Sequence, residues 1–335
     1  MAIQTTAASP SSPTEPSNPQ SANNTPEKQS SASWGALSDT NQRLLKSSET
    51  GDFDGILAAL EDGANPRVVN KKGRTPLMNA AMADCPQGVE TLLPLSDPHA
   101  RDACLNTALI WAAFAKSSDC IRFLAPVSEI DAADDEGKTA VIWATQKDDT
   151  ESVRILAPLS SLRLSDKFGA TALYYAAARG NAESARMILS GSDLSATNVR
   201  RVHPLQVAAL NKDPACLKFL LPHSDPRCLN EIGESAFDWA LEHERWGAVD
   251  LLAEHAPIKD AEAAFEKGGP EKMPQWAARL EARALRDAAG LTPRNGPIEN
   301  SAEGGQKRIA ISELGANPEA AAPDARAARR PPRSL

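Results

Sequence analysis

The stretch Asn70-Lys71-Lys72-Gly73-Arg74-Thr75-Pro76-Leu77-Met78-Asn79-Ala80 returns in outline every 32 residues along this chain. Its threonine recurs as Thr107, Thr139 and Thr171, and the next two steps of 32 reach His203 and Ser235. Two residues after that position stand Leu77, Leu109, Val141, Leu173, Leu205 and Phe237; five after it stand Ala80, Ala112, Ala144, Ala176, Ala208 and Ala240. Five before it come Asn70, Asp102, Asp134, Asp166, Asn198 and Asn230, and seventeen after it Leu92, Leu124, Leu156, Ile188, Leu220 and Leu252. Columns that stay in phase over so many copies define an array of one small unit, in which neighbours close each other's cores.

Each column has a physical task. Asn or Asp followed three residues later by Gly (Gly73, Gly137, Gly169, Gly233) predicts a tight turn, because the Asx side chain bonds nearby backbone and Gly accepts a positive φ. The Thr or Ser that follows predicts a helix N-cap. Pro76 and Pro204 suit the first helical position, where a missing N–H costs nothing. The alanine column allows close helix approach, and apolar residues at helical spacing, such as Leu217, Leu220 and Leu221, predict a second helix. Pro94, Pro126, Pro158 and Pro222 are expected to stop that helix.

The pattern Asx-x-x-Gly-x-Thr-Pro-Leu-x-x-Ala resembles the ankyrin repeat. The resemblance covers about residues 38–255, with a divergent first copy at 38–70 carrying Leu44, Leu45, Ile56, Leu57 and Leu60. It implies an all-α ankyrin-repeat solenoid of about seven 32-residue helix-turn-helix repeats. The chain departs from the family where a His of the turn motif is replaced by Met78, Ile110, Ile142, Tyr174, Gln206 and Asp238. Leu105 and Arg201 stand where Gly is expected, which predicts strained or differently shaped turns there.

Outside the repeat, residues 1–33 hold eight Ser, four Thr and five Pro, a composition that cannot bury enough apolar surface to order itself. Segment 1–37 is thus expected as a disordered tail, as is the Ala-, Pro- and Arg-rich segment 291–335. Residues 256–290, with Trp276, Leu280, Ala284 and Leu285 at helical spacing, are expected as a helical C-terminal cap. The net charge is −8; residues 1–33 carry −1 and 291–335 carry +2, which leaves −9 on the middle. That charge speaks against a nucleic-acid partner, and no apolar run is long enough to span a bilayer. The N-terminus has neither the basic start nor the apolar run of a secretory signal, so a cytoplasmic setting is expected.

The residues that could do chemistry form no site constellation. Cys85, Cys104, Cys120, Cys216 and Cys228 make no C-x-x-C pair, no His stands at metal-ligand spacing, and no Gly-rich phosphate loop follows a strand. No catalytic residue, metal or cofactor is therefore expected, and the expected activity is binding by a monomer.

In ankyrin-like proteins the contact residues lie at the turn tips and along the first helices, on a concave face. Carried onto this sequence, the resemblance marks Lys71, Lys72, Arg74 and Met82, then Asn106 and Phe114, then Asp135, Glu136, Lys138 and Lys147. Further along it marks Lys167, Phe168 and Arg179, then Arg200, and last Glu231 and Glu234. Four residues after the Thr position an aromatic recurs as Trp111, Trp143, Tyr175 and Trp239. This column either lines the groove or packs between repeats. The expected function is a non-catalytic interaction module, an adaptor for an unidentified protein partner. An alternative is a secreted bacterial effector that binds a host protein, suggested by the Ser-, Thr- and Pro-rich, acid-poor start, with residues 1–37 as its export signal and the Ala- and Arg-rich end pointing to a bacterial source.

Overall fold

The computed structural model describes residues 37–288, and its helices lie in the unit that begins at Asp39. The expected tails and the export role of the N-terminus fall outside those residues, Leu37 apart. Seven helix pairs follow one another. They are α1 (Asp39–Thr50) with α2 (Phe53–Glu61), α3 (Pro76–Met82) with α4 (Pro86–Leu92), α5 (Ala108–Ala115) with α6 (Ser118–Leu124), and α7 (Ala140–Gln146) with α8 (Thr150–Leu156). Then come α9 (Ala172–Arg179) with α10 (Ala182–Ile188), α11 (Pro204–Ala208) with α12 (Ala215–Leu220), and α13 (Ala236–Glu242) with α14 (Trp246–Leu252). Among the described residues there is no β-strand, only isolated bridges such as Ala133 to Thr139.

The recurring polar column caps as the sequence predicts. Thr75, Thr107, Thr171 and Ser235 each accept the N–H of the residue three later, and His203 instead donates its own N–H to Gln206 Oε1 at 2.9 Å. Thr139 occupies the cap position without making that bond. Each second helix with a proline after it ends two residues before that proline, at Leu92, Leu124, Leu156 and Leu220. Pro94, Pro126 and Pro222 sit inside 3-10 turns that carry the chain three residues further. After α8 and α10 a serine closes the helix end, where Ser160 and Ser192 Oγ donate to the carbonyls of Leu156 and Ile188.

First helices pack on first helices (α3 on α5, α5 on α7, onward to α13), and second helices pack on second helices from α2 to α12. Every member of the alanine column has no exposed surface. A larger side chain there would force neighbouring first helices apart, which is why the column is invariant within the chain. The column two after the cap and the column seventeen after it are buried throughout, from Leu77 and Leu92 to Phe237 and Leu252. Each buried Leu or Ile contributes roughly 1.5–3 kcal/mol relative to exposure, and the gain depends on the neighbouring repeat being present.

The C-terminal cap is two helices, α15 (Ile258–Lys272) and α16 (Pro274–Ala288), with α15 broken at Gly269 ahead of Pro270. Asp250 of α14, itself buried, accepts the N–H groups of Gln275 and Trp276 at 3.1 and 2.9 Å and so caps α16 from the repeat below. Trp276 and Leu280 are half-buried, as expected of an inward face, but Ala284 and Leu285 are exposed.

Candidate functional site: the hairpin row

Between successive helix pairs the chain makes a hairpin whose backbone is the same in six copies. One side-chain oxygen of each Asx residue accepts two N–H bonds, from the residues two and four later. For Asn70 these are Lys72 and Arg74; for Asp102, Cys104 and Asn106; for Asp134, Glu136 and Lys138. Asp166 takes Phe168 and Ala170, Asn198 takes Arg200 and Val202, and Asn230 takes Ile232 and Glu234. The residue three after the Asx is left-handed in every copy, including Leu105 (φ 61°) and Arg201 (φ 56°). Those two turns therefore keep the common shape and pay for it in strain.

Adjacent hairpins are tied together by main chain. Ala103 N–H donates to Lys72 O, Asp135 to Cys104 O, Lys167 to Glu136 O, Val199 to Phe168 O and Glu231 to Arg200 O, at 2.8–3.2 Å. The bonds recur at the same repeat position, so the tips form one continuous row.

The second oxygen of the Asx residue accounts for the aromatic column. Trp111 Nε1 donates to Asp102 Oδ2 at 3.0 Å, Trp143 Nε1 to Asp134 Oδ2 at 2.7 Å and Tyr175 OH to Asp166 Oδ2 at 2.6 Å. Where the Asx is Asn, its amide needs an acceptor instead. Asn198 Nδ2 donates to Tyr174 OH at 3.3 Å, and Asn230 Nδ2 to Glu234 Oε2 at 3.2 Å. Trp239 reaches that same Glu234 oxygen at 2.6 Å. The aromatics thus sit beneath the hairpins and brace them.

Cations overlie these rings. The Arg74 guanidinium lies 3.9 Å from the Trp111 centroid and 3.7 Å from Asp102 Oδ2 of the next repeat. Lys147 Nζ is 3.8 Å from the exposed Phe114 ring, which meets Trp111 and Trp143 edge-on at 5.6 and 5.1 Å. Lys138 is fully enclosed, 4.4 Å from the Trp143 ring and 2.9 Å from Glu136 Oε2. Burial pushes the Asp134 carboxyl above the usual range, against the pull of its bonds from Lys138, Trp143 and Glu136. Burial, then the bond to Asp166, likewise raises the Tyr175 hydroxyl; Tyr174, chiefly through burial, is pushed up to about 12.

The expected contact residues thus fall into three groups. Asn106, Lys138, Trp143 and Tyr175 are buried, and Trp111, Trp239 and Glu234 are half-buried in bonds to the hairpins. Lys71, Lys72, Phe114, Asp135, Lys167, Phe168, Arg179, Arg200 and Glu231 are exposed. Arg74, Met82, Glu136 and Lys147 lie between, the first bonded through Nη1 to Met82 Sδ. Sequence reasoning left out the exposed apolar side chains of Leu105 and Val199 on the same row: Leu105 stands in the Gly column, read only for its backbone, and Val199 stands in the column of Lys71 and Lys167 but is left unmarked.

Elsewhere the reactive residue types are packed away. Cys120 and Cys216 are fully buried, and burial pushes their thiols up to about 11 and about 12. Burial and the nearby Arg201 hold His203 below the ordinary imidazole range. Among the described residues no group of His, Cys, Asp or Glu is placed to hold a metal, and no helix is long and apolar enough to cross a membrane.

A family model described as ankyrin repeats (3 copies) matches residues 44–134 and 126–198. No curated protein sequence matches the chain. Among solved structures, the ankyrin repeat domain of Bcl-3, described as a unique member of the IkappaB protein family, aligns with a TM-score of 0.50 at 20% identity. That alignment covers 59% of this chain and 93% of the other, and at such identity it speaks to the fold. Ankyrin repeats generally serve as protein–protein interaction modules. With the matched repeats continuing in the same bonded unit through Leu252, the chain is an ankyrin-repeat protein.

Proposed function

We propose that this protein is a monomeric, cytoplasmic, non-catalytic adaptor that grips a protein partner along the hairpin row and the adjoining ends of the first helices. One observation carries the reading. The row is held by main-chain bonds, Asx oxygens and the aromatics beneath, and Glu136 aside, none of these bonds uses the outward side chains one and two places after the Asx. Those positions run Lys71-Lys72, Ala103-Cys104, Asp135-Glu136, Lys167-Phe168, Val199-Arg200 and Glu231-Ile232, a different pair in every repeat. Positions that differ while their supports stay constant are suited to recognition.

The test is capture of proteins by the immobilised full chain, identified by mass spectrometry, in three versions. A partner held by the parent should be lost when Lys71, Lys72, Lys167 and Arg200 are all changed to Glu, and retained by Arg122→Glu/Arg154→Glu, which alters only the second-helix surface. Loss in the second-helix variant with retention in the hairpin variant would contradict the proposal.

A further inference from the structure

We infer that the partner presents a short acidic stretch with an apolar residue in it, seated on the hairpins of Lys167-Phe168 and Val199-Arg200-Arg201; this rests on the hairpin row being the binding surface. Several exposed arginines elsewhere are neutralised. Arg43 pairs with Asp62, Arg101 with Glu129, Arg122 with Glu151, Arg154 with Glu183 and Arg279 with Glu254. Arg67, Arg163, Arg179, Arg186 and Arg227 are exposed singly, without an ion pair among the described residues. On these two hairpins Lys167, Arg200 and Arg201 are exposed, and none enters an ion pair among the described residues. What sets these two hairpins apart in a domain of net charge −9 is that three exposed cations stand together on tips joined by main chain.

Their own carboxylates are spent or missing. Asp166 gives its oxygens to Phe168, Ala170 and Tyr175, and the equivalent residue of the next hairpin is the neutral Asn198. Between the cations stand Phe168 and Val199, 42% and 64% exposed, on neighbouring hairpins joined by the 2.8 Å bond from Val199 N–H to Phe168 O. An aliphatic or aromatic side chain flanked by carboxylates complements that arrangement. The flanks set its length. Asp135 and Glu136 border the patch on one side and Glu231 on the other, so a longer polyanion such as a nucleic acid would meet like charge at both ends.

Fluorescence anisotropy on the full chain tests this with labelled synthetic peptides. The probes are acetyl-Gly-Glu-Glu-Leu-Phe-Glu-Glu-Gly, its Lys-for-Glu counterpart, and a thymidine oligonucleotide. The acidic peptide should bind, and Arg200→Glu/Arg201→Glu should weaken it about tenfold or more. Lys167→Glu/Phe168→Ser should weaken it as well, while Arg200→Lys/Arg201→Lys and Lys71→Glu/Lys72→Glu leave it within about threefold. Failure of the acidic peptide to bind, equal binding by Arg200→Glu/Arg201→Glu, or tighter oligonucleotide binding at the same residues would each overturn the inference. If only the Lys peptide binds, and Asp135→Lys/Glu231→Lys abolishes it, the row remains the binding surface and the acidic assignment fails. Binding that responds to no hairpin variant would remove both readings.

Discussion

At the scale of single residues, the identities of Asp102, Asp134, Asp166 and Asn198 follow from what the second side-chain atom of each meets. Asp stands where Trp111, Trp143 or Tyr175 offers a donor, and Asn198 stands where Val207 offers none and Tyr174 OH can accept. Replacing Trp143 by Phe should leave Asp134 Oδ2 without its donor in a buried site, at about 1–3 kcal/mol. A double-mutant cycle with Asp134→Asn should show coupling, because each change removes the same bond. The Asp134 carboxyl already titrates above the usual range because burial disfavours its charge. Its folded-state pKa is raised, so its contribution to stability is greatest at acid pH and is lost as pH rises through that folded value. The Trp143 indole N–H resonance, followed by NMR through a pH titration, should report that raised midpoint; a midpoint in the ordinary carboxylate range would contradict it. Leu105 and Arg201 make the opposite kind of prediction. Each holds a left-handed φ at a cost of about 1–2 kcal/mol, partly cancelled by the extra unfolded-state freedom of Gly. Leu105→Gly and Arg201→Gly should therefore each raise stability by roughly 0.5–1 kcal/mol in denaturant titration.

Among the elements, the first helices tolerate no added bulk on the face that carries the alanine column. Ala144 has no exposed surface, so Ala144→Glu buries an unpaired charge and should cost several kcal/mol. In an array that loss is shared with neighbours, and hydrogen exchange should show lowered protection in α5 and α9 as well as α7. At the other end, Asp250→Ala removes the acceptor for two N–H groups at the start of α16. It should cost about 0.5–2 kcal/mol and speed amide exchange in α16, leaving α3 to α10 unchanged. Much of this level was legible beforehand, because caps, alanines and leucines act locally and repeat at 32 residues. What periodicity could not reveal was non-repeating chemistry. Asp250 has no equivalent use in other repeats, and the break at Gly269-Pro270 inside α15 and the end of α15 at Met273 lie beyond the period. The prolines after the second helices mark where the α-helices end, but the 3-10 turn that accepts Pro near its start and carries the chain on was not visible in the spacing.

For the whole molecule, support and recognition use different atoms. The columns of the sequence foretold where the hairpins would stand but not which carried-over residues would face outward. Lys138 illustrates the reason: a lysine at a tip position is ordinarily solvated, and only the packing of Trp143 and Tyr175 around it, with Glu136 at 2.9 Å, encloses it. The aromatic column was open between groove lining and packing for the same cause, since the choice hangs on bonds to Asp102, Asp134 and Asp166 that spacing does not display. Once those bonds are drawn, the outward side chains are left free of the fold. The most direct test is the melting temperature of a full chain in which Lys71, Lys72, Lys167, Phe168 and Arg200 are all changed to Ser. Exposed substitutions of this kind each shift stability by no more than about 0.5 kcal/mol, so the transition should stay within a few degrees of the parent. A fall as deep as that of Ala144→Glu would mean that the row is part of the support and not a surface kept for a partner.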